Sequence, residues 1–187
     1  MPRNRFLLIA TLVMMVSGSC SNIITTPTLT PTSAPEKLKL INGEIDACLL
    51  ISPSEVEYVL GLKVATKAWF ATMGAVGCVY TSVSDDRTIF QTFVTTDATL
   101  KKVNSPYSAV ETYESLKRSH LQSPEVYKIN EIENFGDRAY STDASFLQIN
   151  ILNNGIYYDF TTETISDGGI GYDALMKLAE IALQKMP

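Results

Sequence analysis

The chain has one histidine, His120, in 187 residues, and no Cys-x-x-Cys pair to make good the shortage, so too few ligands are at hand for a metal site. It has no stretch of 18 apolar residues, which excludes a polytopic membrane protein. Nor has it a Lys/Arg cluster, and its formal charge of −5 argues against nucleic acid, whose phosphate backbone is held mostly by grouped cations. No repeat of 20–50 residues is visible. With 45% apolar and only 19% charged residues, the chain is too greasy and too weakly charged to be wholly disordered. One domain of ordinary size fits these limits.

What is present begins with an address. Arg3 and Arg5 precede Phe6 to Val16, a run whose one polar side chain is Thr11, and the small residues Ser17-Gly18-Ser19 lead directly into Cys20. These are the n-region, h-region and accessible backbone of an export signal. Eleven residues rise only about 16 Å as a helix against a hydrocarbon core of roughly 30 Å, so a permanent span is the weakest reading. The segment resembles a bacterial lipoprotein signal, although Ser17 stands where Leu is usual. That resemblance implies a cut before Cys20, a diacylglyceryl group on its thiol and acylation of the new amino terminus. An ordinary cleaved signal peptide and an uncleaved anchor are the alternatives. Each buried methylene contributes about 0.8 kcal/mol, so two or three acyl chains hold a protein on a membrane for long periods. Removal of residues 1–19 takes Arg3 and Arg5 and moves the net charge from −5 to −7. Such an acidic body is expected to stand off an anionic lipid surface.

Residues 20–37 form a tether between that leader and a single domain at 38–187. Ser21 to Glu36 holds three Pro, five Thr and no aromatic, so it cannot build a core. Extended at about 3 Å per residue it reaches at most roughly 50 Å.

Within the domain, Ser52-Pro53-Ser54-Glu55 reads as a capping box with Pro at the first helical position, and Gly61 as the stop of a helix of about eight residues. A second helix is expected from near Ser105-Pro106 to His120. The third runs from Gly171 to Met186, with Leu175, Leu178, Ala179, Ala182 and Leu183 on one stripe. Cys78–Val83 and Thr88–Thr95 flank the turn Ser84–Arg87 as one hairpin. Leu147, Ile149 and Ile151 alternate with Gln148 and Asn150 before Asn153-Asn154-Gly155 turns the chain into Ile156–Thr162, a second hairpin. Residues 126–132 and 138–141 add two strands. The order predicts an α+β domain, an antiparallel sheet with about three helices against one face.

With Cys20 set aside for lipid, Cys48 and Cys78 remain. A disulfide is the economical pairing for a domain outside the cytoplasm, and two buried free thiols are the alternative. Three fragments, Cys48-Leu-Leu-Ile-Ser-Pro-Ser-Glu-Val56 with Leu60-Gly61, Gly77-Cys78-Val79-Tyr80, and Phe135-Gly136-Asp137-Arg138-Ala139-Tyr140, resemble in their order the small lipid-anchored actinobacterial-type proteins typified by the domain of unknown function 3558. The resemblance implies the Cys48–Cys78 bond and a sheet-and-helix fold similar to the Mog1/PsbP-like group. It implies no reaction and no cofactor.

Candidate chemistry is thin. His120 is the only imidazole that an extracytoplasmic hydrolase could use as a base, yet no recognisable nucleophile motif accompanies it. Asp85-Asp86 and Asp143 lack the spacing of a calcium loop and suit turns better. Gly168-Gly169-Ile170-Gly171 lacks the Lys of a phosphate loop. Nine tyrosines suit either a binding groove or ordinary sheet faces. Trp69-Phe70, read as part of a Gly- and Ala-rich loop, is the preferred contact point. The expectation is therefore a non-catalytic module held at the outer face of the cell membrane, with an envelope protein, glycan or small molecule as ligand. A His120 hydrolase and a structural accessory of an envelope complex are its rivals.

Overall fold

Three helices begin with the same reciprocal device. Ser52 accepts from the Glu55 N–H while the Glu55 carboxylate takes the Ser52 N–H; Thr96 with Thr99 and Ser108 with Glu111 repeat it. In the computed structural model, which describes residues 36–71, 73–162 and 170–187, these caps start α1 (Pro53–Leu60), α2 (Asp97–Lys102) and α3 (Ala109–Leu121). Gly61 closes α1 with φ of +69°, the left-handed conformation that glycine adopts without steric cost. A 3-10 turn at Ala47–Leu49 precedes α1, and α4 (Tyr172–Lys185) ends the domain. The leader, Cys20, most of the tether and residues 163–169 lie outside the described residues, and the Gly168-Gly169 part of the glycine-rich stretch lies there too.

Seven strands form one antiparallel sheet: β1 (Val64–Phe70), β2 (Ala75–Ser82), β3 (Thr88–Thr95), β4 (Lys128–Ile132), β5 (Arg138–Asp143), β6 (Leu147–Asn153) and β7 (Ile156–Thr162). Their spatial order is β1-β2-β3-β7-β6-β5-β4. Two meanders thus meet along a single seam, β3 against β7. The fold is α+β. The Asn153-Asn154-Gly155 turn carries φ of +49° at Asn154 and +73° at Gly155, as a two-residue hairpin loop requires.

The helices occupy both faces of the sheet rather than the one face expected. Successive strand residues point to opposite sides, and β6 and β7 carry apolar groups on both. Tyr158 and Phe160 join Ile149, Ile151, Tyr80 and Phe90 beneath the 3-10 turn, α1 and α4. Tyr157 and Leu152 join Tyr113, Tyr140 and Leu100 beneath α2 and α3. Each fully buried large side chain contributes about 1.5–3 kcal/mol. On the first face Tyr80 stacks on Phe90, centroids 4.1 Å apart, and donates to the Ile51 carbonyl at 2.8 Å. The Cys48–Cys78 disulfide pins the 3-10 turn to β2 with Cα atoms 5.0 Å apart. Lys185 Nζ, 2.6 Å from Glu55 Oε2, ties α4 to α1.

Candidate functional site

Cross-strand pairing lines side chains up in rows across the sheet, about 4.8 Å from strand to strand. On the α3 side one row reads Trp69, Gly77, Phe93, Asp159, Asn150, Tyr140. The neighbouring row reads Lys67, Val79, Gln91, Thr161, Gln148, Thr142. Helix α3 packs on β6 and β7 and α2 against β2, so the helices cover only part of these rows. Lys67 and Trp69 are exposed, and Val79, Gln91, Phe93, Asp159 and Thr161 are half-buried. The uncovered band carries the aromatic rings of Trp69 and Phe93 with Lys67 toward β1 and is polar toward β7.

Gly77 makes room for the aromatic end. A Cβ at that position would stand 2.4 Å from Trp69 Nε1, so the indole folds over a residue with no side chain. There it meets Phe93 edge-on, centroids 5.5 Å apart and planes at 73°, an arrangement favoured by the ring quadrupoles. The polar end is organised around Asp159. Its Oδ2 accepts from Gln148 Nε2 at 2.7 Å and its Oδ1 from the Thr161 hydroxyl at 2.5 Å, while Thr142 donates to Gln148 Oε1 at 3.4 Å. Burial pushes the Asp159 carboxyl up to about 6 despite those hydrogen bonds. Under α3, Tyr157 donates to Asn150 Oδ1 at 2.6 Å, while Asn150 Nδ2 and the Tyr113 hydroxyl have no partner among the described residues. Burial raises the Tyr113 phenol to about 12.

Amide, hydroxyl and carboxylate groups side by side can donate to and accept from vicinal hydroxyls, and the Trp69 and Phe93 rings can take up an apolar face. Among the described residues no three His, Cys, Asp or Glu side chains converge on a metal position. Asp85 accepts from the Arg87 N–H and Asp86 takes φ of +53°, both in the β2–β3 turn; Asp143 ends β5; Gly171 is the N-cap of α4.

The two sequence candidates sit differently from expectation. Trp69 and Phe70 end β1 rather than lying in a loop, so they face opposite sides of the sheet. Phe70, paired across to Val76, belongs to the other face. Their exposures, 42% and 44%, reflect the edge position of β1. His120 is 5% exposed at the far end of α3, its ring 4.3 Å from Tyr127 and its Nδ1 3.4 Å from the Tyr140 hydroxyl; burial lowers its pKa. Asn150 stands between Tyr140 and Asp159 in their row, so His120 is not part of the open band. Most tyrosines serve the core: Tyr80, Tyr113, Tyr140 and Tyr158 are fully buried. Sequence reasoning missed Gln91, Phe93, Asp159 and Thr161. The alternation of Gln148 and Asn150 with apolar residues was their only local signal. Compared with protein-family models, curated proteins and solved structures, the chain matches none.

Proposed function

We propose that this chain is a lipid-anchored, extracytoplasmic binding module, held through Cys20, that recognises a neutral, hydroxyl-rich ligand of the cell envelope, a glycan, on the open band of its sheet. The observation that carries the reading is the adjacency of Trp69, Gly77 and Phe93 to Asp159 in one uncovered row, beside Gln91 and Thr161 in the next. Ligand sites combine apolar and aromatic surface with a few placed polar groups, and this band has both. Ring faces take the C–H side of a sugar, the Gln91 amide and the Thr161 hydroxyl, held in place by the buried Asp159 carboxyl, bind its hydroxyls, and no step of bond cleavage is required. What supports the location is the signal-like segment Arg3 to Ser19 that leads into Cys20.

Trp69 is the only tryptophan, so its emission reports occupancy of the band directly. Titration with envelope oligosaccharides is expected to shift that emission, and Asp159→Ala and Gln91→Ala each to weaken binding about tenfold or more, the scale of a lost hydrogen bond to a charged or buried group. Unchanged affinity in both variants overturns the assignment of the site. Intact-mass analysis of membrane-derived protein tests the anchor separately: the expected mass begins at Cys20 and carries acyl groups.

A further inference from the structure

The same end of the domain that receives the tether carries two of its most exposed apolar side chains, Met73 and Ile41. The first described residues run along it: Ile41 and Glu44 pair as a small hairpin, and Gly43 lies against Ala98 of α2. Ile41 and Leu49 line a groove of about 400 Å3 whose floor is Ala68 and Val76. Phe70, opposite Val76 on the same face, extends the groove, and Met73 projects from the β1–β2 turn beside it. Met73 is 82% and Ile41 75% exposed. On the other flank of the hairpin, Leu40 shares a shallow groove with Lys101.

Charge separates this end from the rest. Residues 36–187 hold 13 basic and 20 acidic side chains. Around the groove and hairpin, Lys37, Lys39, Lys101 and Lys102 balance Glu36, Glu44, Asp46 and Asp97, so the whole net charge of −7 is carried elsewhere. The acids here are also engaged: Glu44 pairs with Lys102 at 2.6 Å, Asp46 accepts from the Cys48 N–H, and Asp97 from the Ala109 N–H. The rest of the domain, taken together, carries all of the net negative charge and is repelled by an anionic bilayer, and this neutral end is not.

We infer that the tether end, with Ile41, Leu49, Phe70 and Met73 at its centre, is a membrane-docking surface that seats on an anionic phospholipid bilayer. This replaces the expectation that an acidic body stands off the lipid. It rests on the lipid-anchor reading, because residues 21–35 keep this end within reach of the surface. Apolar side chains enter the headgroup boundary and the lysines stay at its level, while the open band lies on the sheet face opposite Phe70.

The test places a single reporter at the tip, Met73→Trp in a Trp69→Phe background, in full-length acylated protein reconstituted into vesicles of phosphatidylcholine and phosphatidylglycerol. Lipids brominated near the headgroup end of the acyl chain are expected to quench its emission about twofold relative to unbrominated vesicles, as shallow insertion implies. Adding Ile41→Asp, at an exposed position that packing does not constrain, is expected to abolish most of that quenching. Equal emission in brominated and unbrominated vesicles overturns the inference, and so does quenching that Ile41→Asp leaves unchanged. The intact mass of the same sample decides the anchor reading independently. Protein carrying Cys20→Ser, added to these vesicles from solution, separates the two: quenching at high lipid supports docking without acylation, and its absence there overturns docking as a property of the domain.

Discussion

The Trp69 indole lies over the Cα of Gly77, so close that a Cβ at 77 would stand 2.4 Å from its Nε1 and 3.1 Å from the Phe93 ring. Gly77 is needed for space and not for an unusual backbone angle. Gly77→Ala is expected to displace the indole, shift its emission to the red and remove oligosaccharide binding, at a stability cost of about 1–3 kcal/mol for overpacking. Fluorescence and chemical denaturation of the one variant check both effects. An unshifted spectrum would show that the ring tolerates a methyl group beneath it.

Replacing Cys48 and Cys78 together by Ala releases a loop of 30 residues. Loop entropy puts the loss at about 3–4 kcal/mol, read from the urea midpoint against the oxidised parent. Reduction of the parent protein should give a matching value.

Tyr80→Phe removes the donor to the Ile51 carbonyl and leaves that acceptor buried. A loss of about 1–2 kcal/mol in denaturant unfolding is expected, with no change in oligosaccharide affinity, since Tyr80 lies on the face opposite the open band.

Asp159 gives the protein an unusual response to acid. Its carboxyl sits at about 6 when folded against 3.8 for an ordinary aspartate, so between those values the folded state holds a proton that the unfolded chain gives up. Its contribution to stability therefore grows as pH falls from about 6 to about 4. His120, lowered by burial, acts the other way and loses stability as pH falls below 6.5. So does Glu55, whose carboxyl partial burial would raise but Lys185 and Ser52 hold below its usual value. Asp159→Asn is expected to leave only the acid-destabilising trend in a series of denaturation curves. A variant whose pH profile superimposes on the parent's would refute the assigned protonation.

What could be read from the sequence was local. The Ser52–Glu55 box, the Asn153-Asn154-Gly155 turn and the apolar stripe of α4 are each specified within a few residues, and each stands where it was expected. β1 escaped notice because an edge strand buries only Val64, so Val64–Phe70 shows no alternation of apolar and polar residues. α2 was missed although Thr96 and Thr99 cap it, because Thr at the third helical position is a weaker signal than Glu. α3 starts at Ala109, after Ser108, rather than near Pro106, because the Ser108–Glu111 pair sets its first turn. The open band was invisible for a different reason. Phe93 and Asp159 are 66 positions apart, and only the β3–β7 pairing, which no local pattern encodes, makes them neighbours. The second helical layer had the same origin, in strands whose two faces are both apolar.

The β3–β7 seam also governs how the chain assembles. A polypeptide made amino end first presents β1, β2 and β3 long before β7 arrives, and β3 then offers a full ladder of unmet amides and carbonyls to any passing strand. Closure must wait for β7, the last of the seven strands in chain order, which makes maturation slow and dependent on long-range encounter. Until β7 arrives, that edge is the part of the half-made sheet most open to pairing with another chain.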